Sequence, residues 1–262
     1  MACTSLRRDG EEVLGVVHGG PDVPWLSGIP LLHPWANRLG GFAYAGVVLD
    51  PASPDLYLEE HGLPLHGLRS SVEAWEVLVS EHARLVAGRD FGARAAFPYP
   101  HRLEVAASLS ASALTLETTL TAGARPVPVC FGHHPFFALK GAPRAEWEIA
   151  LPVDERLVVD ERLVPTGERV PAGALDGPLG TRVFDDGFTV GRGPFVLAGG
   201  GRRIEVRFET GYPYAQVYAP ASADVICFEP MTAPADALRT GAVTVAPGAS
   251  YTARFSVAVT GE

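Results

Sequence analysis

The chain has 262 residues, an apolar fraction of 47% and a formal charge of −9, which indicate a sizeable buried core and exclude a disordered chain. The acidic balance opposes nucleic acid or an anionic membrane surface as partner. No stretch reaches the ~20 apolar residues of a membrane span.

Gly 29 and Pro 23, spread throughout, suit many short strands joined by turns. Residues 13–17 read as a short strand ending in a turn at His18-Gly19-Gly20, and 21–28 as a loop. In residues 28–41 the prolines Pro30 and Pro34 forbid a regular helix, which places Asn37 and Arg38 on a fixed loop. Phe42, Tyr44 and Val47-Val48 form the next strand, and His66-Gly67-Leu68-Arg69-Ser70 a polar cluster. From Ala74 onward alternation dominates. Trp75, Val77 and Val79 share one face, as do Leu103, Val105 and Ala107, and the pattern runs on through 109–121. Residues 127–131 read as a buried strand, although Pro128 argues against a central place in a sheet. Gly132 then permits a sharp exit before His133-His134-Pro135-Phe136-Phe137. Further strands are predicted at 147–151, 184–190, 203–208, 215–218, 225–228 and 254–259. About fifteen strands, short linkers and no long amphipathic helix predict one all-β domain over 1–262, a large antiparallel β-sandwich.

Cys3, Cys130 and Cys227 form no CxxC pair, and their odd number leaves a thiol unpaired. With no apolar leader after Met1-Ala2-Cys3, the expected location is the cytoplasm. The stretch around His133 and His134 is the chemical centre of the sequence. Histidine exchanges protons near neutral pH without much tuning, and here two imidazoles stand beside aromatic surface. Either one equally fits a simple structural hydrogen bond. Neighbours on a strand point to opposite faces, so the two do not readily share a metal ion. Glu229 ends a strongly apolar strand, Val225-Ile226-Cys227-Phe228, and needs a partner there, catalytic or a strand-end ion pair. Asp185 and Asp186 fit either a site or a turn before Gly187.

The order Asn37-Arg38, His66-Gly67, His134-x-Phe-Phe, Phe-Asp185 and Glu229-Pro with Pro234-Ala235-Asp236-Ala237 resembles the aldose 1-epimerase (galactose mutarotase) family. The resemblance spans about Gly28 to Ala237. It implies a galactose mutarotase-like supersandwich with an open sugar cleft and no required cofactor; the expected partner is a small-molecule sugar, with no metal, and a monomer or homodimer is expected. It also implies Glu229 as catalytic base, His134 as catalytic acid and His66 as a second histidine of the site. Arg38, Asp185 and Asn37 are then substrate-binding. Galactose-acting members commonly carry asparagines just before the catalytic histidine and a tyrosine two places after it. Here those positions hold Phe131-Gly132-His133 and Phe136, so amide groups and a hydroxyl are missing from the expected pocket.

The implied reaction interconverts α and β anomers of a free aldohexose. It removes the C1 hydroxyl proton and protonates the ring oxygen, for which one base and one acid suffice. A hexose-6-phosphate 1-epimerase would need added cations at the phosphate end, with Arg69 and Arg38 as candidates. A non-catalytic carbohydrate-binding protein would not need both His134 and Glu229. A glycoside hydrolase would need two carboxyls, which Asp185 and Glu229 could supply.

Overall fold

The computed structural model describes residues 1–17 and 27–261. The expected turn at His18 and most of the loop after it lie outside the described residues. Two nine-stranded sheets dominate, and every strand ladder in them is antiparallel. One sheet runs Ala2–Cys3, Ile29–Leu32, Gly132–His133, Ile226–Met231, Tyr214–Ala219, Phe184–Val190, Val153–Val159 and Pro165–Pro171, with Phe136–Phe137 also paired to Ile226–Met231. The other runs Gly177–Pro178, Glu148–Ala150, Phe195–Gly199, Arg202–Thr210, Ser250–Gly261, Ala113–Ala122, His101–Leu109, Arg84–Phe91 and Glu76–Glu81.

The facing surfaces form the core because side chains alternate across each strand. Along Ala113–Ala122, Leu114, Leu116, Thr118, Leu120 and Ala122 are buried while the residues between them are half-buried. Phe228 of the first sheet meets Phe195 of the second at 5.4 Å between ring centroids, and His133 meets Phe255 at 5.2 Å. Thr118, a hydroxyl on the core face, bonds His133 Nε2 at 3.0 Å. That contact gives His133 a structural role in the core. Its neighbour His134 emerges on the opposite side of the sheet.

Several element boundaries differ from the sequence reading. Residues 109–121 are two strands, broken at Ser110-Ala111-Ser112, where the backbone and side chain of Ser110 close a hairpin. Gly132 is no exit. It lies inside the sheet, paired to Leu32 and Met231, because a Cβ there would stand 2.7 Å from the Pro230 carbonyl oxygen. Pro128 does sit off the main sheets, in a two-stranded ladder with Thr244–Val245. Asp185 and Asp186 are strand residues of Phe184–Val190 and form no turn. Residues 13–17 contribute only isolated bridges, Leu14 to Phe137 and Val16 to Ser27. The expected lack of long helix holds among the described residues, where the α-helix Ala237–Thr240 has 4 residues. No helix there is long and apolar enough to cross a membrane.

Candidate active site

The first sheet turns its other face to a cleft of about 170 Å³ lined by Asn37, Arg38, His66, His134, Asp185 and Glu229, with Tyr57, Leu65, Phe136 and Tyr218 between them. All six sequence-predicted site residues therefore converge. Strand register explains the floor. Asp185 stands opposite Tyr218, Tyr218 opposite Cys227, and Cys227 opposite Phe136. One step along, Glu229 stands opposite Gln216. Directly paired residues share a face, so these side chains form two adjacent rows. The alternate residues, Val217, Ile226 and Phe228, fill the core behind them.

His134 follows the strand Gly132–His133 and is fixed by its own N–H, which donates to the Pro30 carbonyl at 3.1 Å. Its ring stacks on Phe136 at 4.2 Å with 9° between planes. His134 Nε2 lies 3.2 Å from Glu229 Oε1, and the two residues are only 6% and 1% exposed. Burial drives both towards their uncharged forms. It lowers the His134 pKa and raises that of Glu229, with the nearby Asp185 charge raising Glu229 further. Glu229 Oε2 is buried without a hydrogen-bond partner among the described residues, a costly position for a polar atom.

The opposite wall is built from the loop that carries Asn37 and Arg38 and from the short strand Pro64–Leu68. Asn37 and His66 both adopt left-handed backbone, at φ 59° each, and hold one another. The His66 N–H donates to the Asn37 carbonyl at 3.0 Å, and the Asn37 N–H donates to His66 Nδ1 at 3.3 Å. That second bond makes Nδ1 the acceptor and leaves the proton on Nε2 of the neutral ring. Burial keeps His66 neutral by lowering its pKa, with His134 and Arg38 adding to the effect. Its ring meets His134 edge-on at 5.2 Å.

Arg38 is held from both sides. Nη2 reaches Asp185 Oδ2 at 3.1 Å and Nε reaches Glu59 Oε2 at 3.3 Å. Gln216 Nε2 donates to Asp185 Oδ1 at 2.6 Å. From behind, the Asp236 N–H donates to the Arg38 carbonyl, and Asp236 Oδ1 accepts from the Gly40 N–H at 2.7 Å. Asn37 Oδ1 accepts from the Arg38 N–H at 2.7 Å, so the Asn37 side chain braces the loop.

Gln216, Tyr218 and Glu59 were not singled out in the sequence. The first two had a signal: Ala215, Val217 and Ala219 take the core-facing positions, which aims Gln216 and Tyr218 at the other face. Glu59 had none. Among the described residues, Glu59, Glu60 and His61 bring three metal-capable atoms within 4.8 Å of one another. None of the three lines the cleft, and Glu59 is already engaged by Arg38 and by backbone N–H groups.

A sandwich whose outer sheet face carries a buried imidazole–carboxylate pair beside an arginine–carboxylate clamp is equipped for proton transfer on a small polar ligand. The model of the aldose 1-epimerase family matches residues 4–258, so the chain belongs to that family. Its fold is shared by a candidate aldose 1-epimerase of Escherichia coli K12, at 22% identity and TM-score 0.79 over 100% of this chain and 93% of that one. A GalM/aldose epimerase homologue from C. elegans matches at 16% identity and TM-score 0.78, covering 97% and 90%. Galactose 1-epimerase from Lactobacillus acidophilus matches at 16% identity and TM-score 0.77, covering 99% and 88%. No curated protein is a significant sequence match.

Proposed function

We propose that the protein is an aldose 1-epimerase that interconverts the α and β anomers of a free aldohexose. The observation that carries this reading is the buried 3.2 Å contact between His134 and Glu229, open to the cleft and with Glu229 Oε2 unpartnered. In the mechanism, the Glu229 carboxylate takes the proton from the C1 hydroxyl. The O1 electrons form the aldehyde carbonyl as the bond from C1 to the ring oxygen breaks, and the His134 imidazolium protonates that oxygen. Rotation about C1–C2 and the reverse transfers close the ring on the other carbonyl face, returning both protons.

The two groups form one proton-sharing unit. A neutral imidazole with a protonated carboxyl holds as many protons as imidazolium with carboxylate. Burial favours the first form; moving one proton across the pair gives the reactive form without exchange with solvent. Each group contributes about 10²–10⁴ in rate by general acid–base catalysis, and orientation adds more. Arg38, Asp185 and Asn37 form the binding wall in this reading, and His66 supplies the Nε2–H donor.

Arg38 is already shared between Asp185 and Glu59, which favours a neutral sugar over a hexose 6-phosphate. The test is NMR of freshly dissolved α-glucose, α-galactose and glucose 6-phosphate with and without protein. Faster equilibration of a free hexose is expected. Acceleration of the phosphate alone would move the substrate to the phosphorylated class, and no acceleration of any would overturn the reading.

A further inference from the structure

We infer that Tyr218 is a substrate-binding residue that sets sugar preference, its hydroxyl bonding one ring hydroxyl other than O1; this rests on the sugar-cleft reading above. Tyr218 occupies the middle of the cleft floor, opposite Asp185 on one strand and Cys227 on the other. Its ring stands edge-on to His134 at 6.0 Å. The polar side chains beside it on the floor each already have a protein partner. Asp185 is bonded to both Arg38 and Gln216, Gln216 to Asp185, and Glu229 to His134. The Tyr218 hydroxyl, in contrast, has no hydrogen-bond partner among the described residues, although the side chain is half-buried and lines the cleft.

Burial, and then the nearby Asp185 carboxylate, push its pKa up to about 12, so it presents an O–H near neutral pH. Such a group can both donate to and accept from a sugar hydroxyl. Phe136, across the floor, is wholly buried and offers no hydroxyl. Tyr218 therefore supplies the polar contact that this aromatic wall lacks. A sugar with a hydroxyl at that point gains a bond, and an epimer or deoxy sugar without it leaves the phenol dry and unpaired.

The test removes one atom, in Tyr218→Phe. Mutarotation kinetics, sugar affinity by titration calorimetry and thermal midpoint are measured for wild type and variant with glucose, galactose and their 2-, 3-, 4- and 6-deoxy forms. With an unchanged midpoint, the variant should raise KM and Kd about 3- to 10-fold for the preferred hexose and leave kcat within about twofold. For one deoxy sugar, wild type and variant should bind alike, which identifies the hydroxyl. Equal affinities of the two proteins for every sugar would overturn the inference, as would a uniform loss that no deoxy sugar abolishes. Sugar binding without turnover would defeat the mutarotase reading but still leave Tyr218 tested by affinity. No binding of any sugar would defeat both.

Discussion

His134 and Glu229 act as a unit in this account, and that has a kinetic signature. His134→Asn should lower kcat by about 10²-fold or more, and pairing it with Glu229→Gln should cost less than the product of the single losses. Multiplicative losses in a stopped polarimetric assay would show two independent groups instead. Asp185→Ala should weaken binding as well as turnover, because it frees both Arg38 and Gln216 from their shared anchor. A rise in KM of several-fold beside a fall in kcat is the expected result, and an unchanged KM would remove Asp185 from the binding wall. At this scale the sequence was most informative where a polar residue stood against its surroundings. Glu229 was visible as a lone carboxylate closing an apolar strand. The partner of Arg38 was not, since Glu59 follows an ordinary Leu-Tyr-Leu and reaches the site only through the folding of its loop.

The site's opposite wall depends on close packing between the segment around His33 and the strand Pro64–Leu68, tightest at one glycine. Gly67 has φ +81°, and a Cβ there would meet the His33 carbonyl oxygen at 2.1 Å. Gly67→Ala is therefore strained in conformation and in space, and should cost about 2–4 kcal/mol of stability in urea unfolding. The displaced strand would also misplace the adjoining His66. Stability within about 0.5 kcal/mol of wild type, roughly the scatter of surface substitutions, would mean that this contact yields easily. Element type was legible from period-two patterning, because burial on one face imposes it directly. Boundaries were less so. Across the hairpin at Ser110-Ala111-Ser112 the buried positions pass from odd numbers (Leu103, Val105) to even ones (Leu114, Leu116), and Gly132 is a glycine for close approach of Pro230 rather than for a turn. Nothing in local sequence separates those two uses.

Across the molecule, His33, His66, His101, His133 and His134 all have pKa values lowered, chiefly by burial. Unfolded histidines titrate near 6.5, so below about pH 6.5 the unfolded chain binds protons that the native state refuses. Stability contributed by these neutral rings is complete above that pH and is lost as pH falls towards their folded values, which for His133 lies at about 3. Each contributes a slope of up to about 1.4 kcal/mol per pH unit. Glu229 runs the other way. Its raised pKa favours the native state at low pH and offsets roughly one histidine. Thermal midpoints should therefore fall between about pH 6.5 and 4, ahead of the carboxylate range; a flat profile there would contradict the burial of these rings. The sandwich itself was readable from the sequence, because pervasive alternation with short linkers admits few other architectures. Which face of which sheet carries the site was not, since that depends on register between distant strands. The mechanism turns on Glu229 moving a proton at the anomeric centre. The most direct measurement compares the mutarotation rate of fresh α-glucose and α-galactose with wild-type protein and with Glu229→Gln, taking the thermal midpoint on the same samples. A wild-type acceleration that the folded variant loses by about 10²-fold or more is expected, whereas a well-folded Glu229→Gln protein with undiminished turnover would show that Glu229 moves no proton in the reaction.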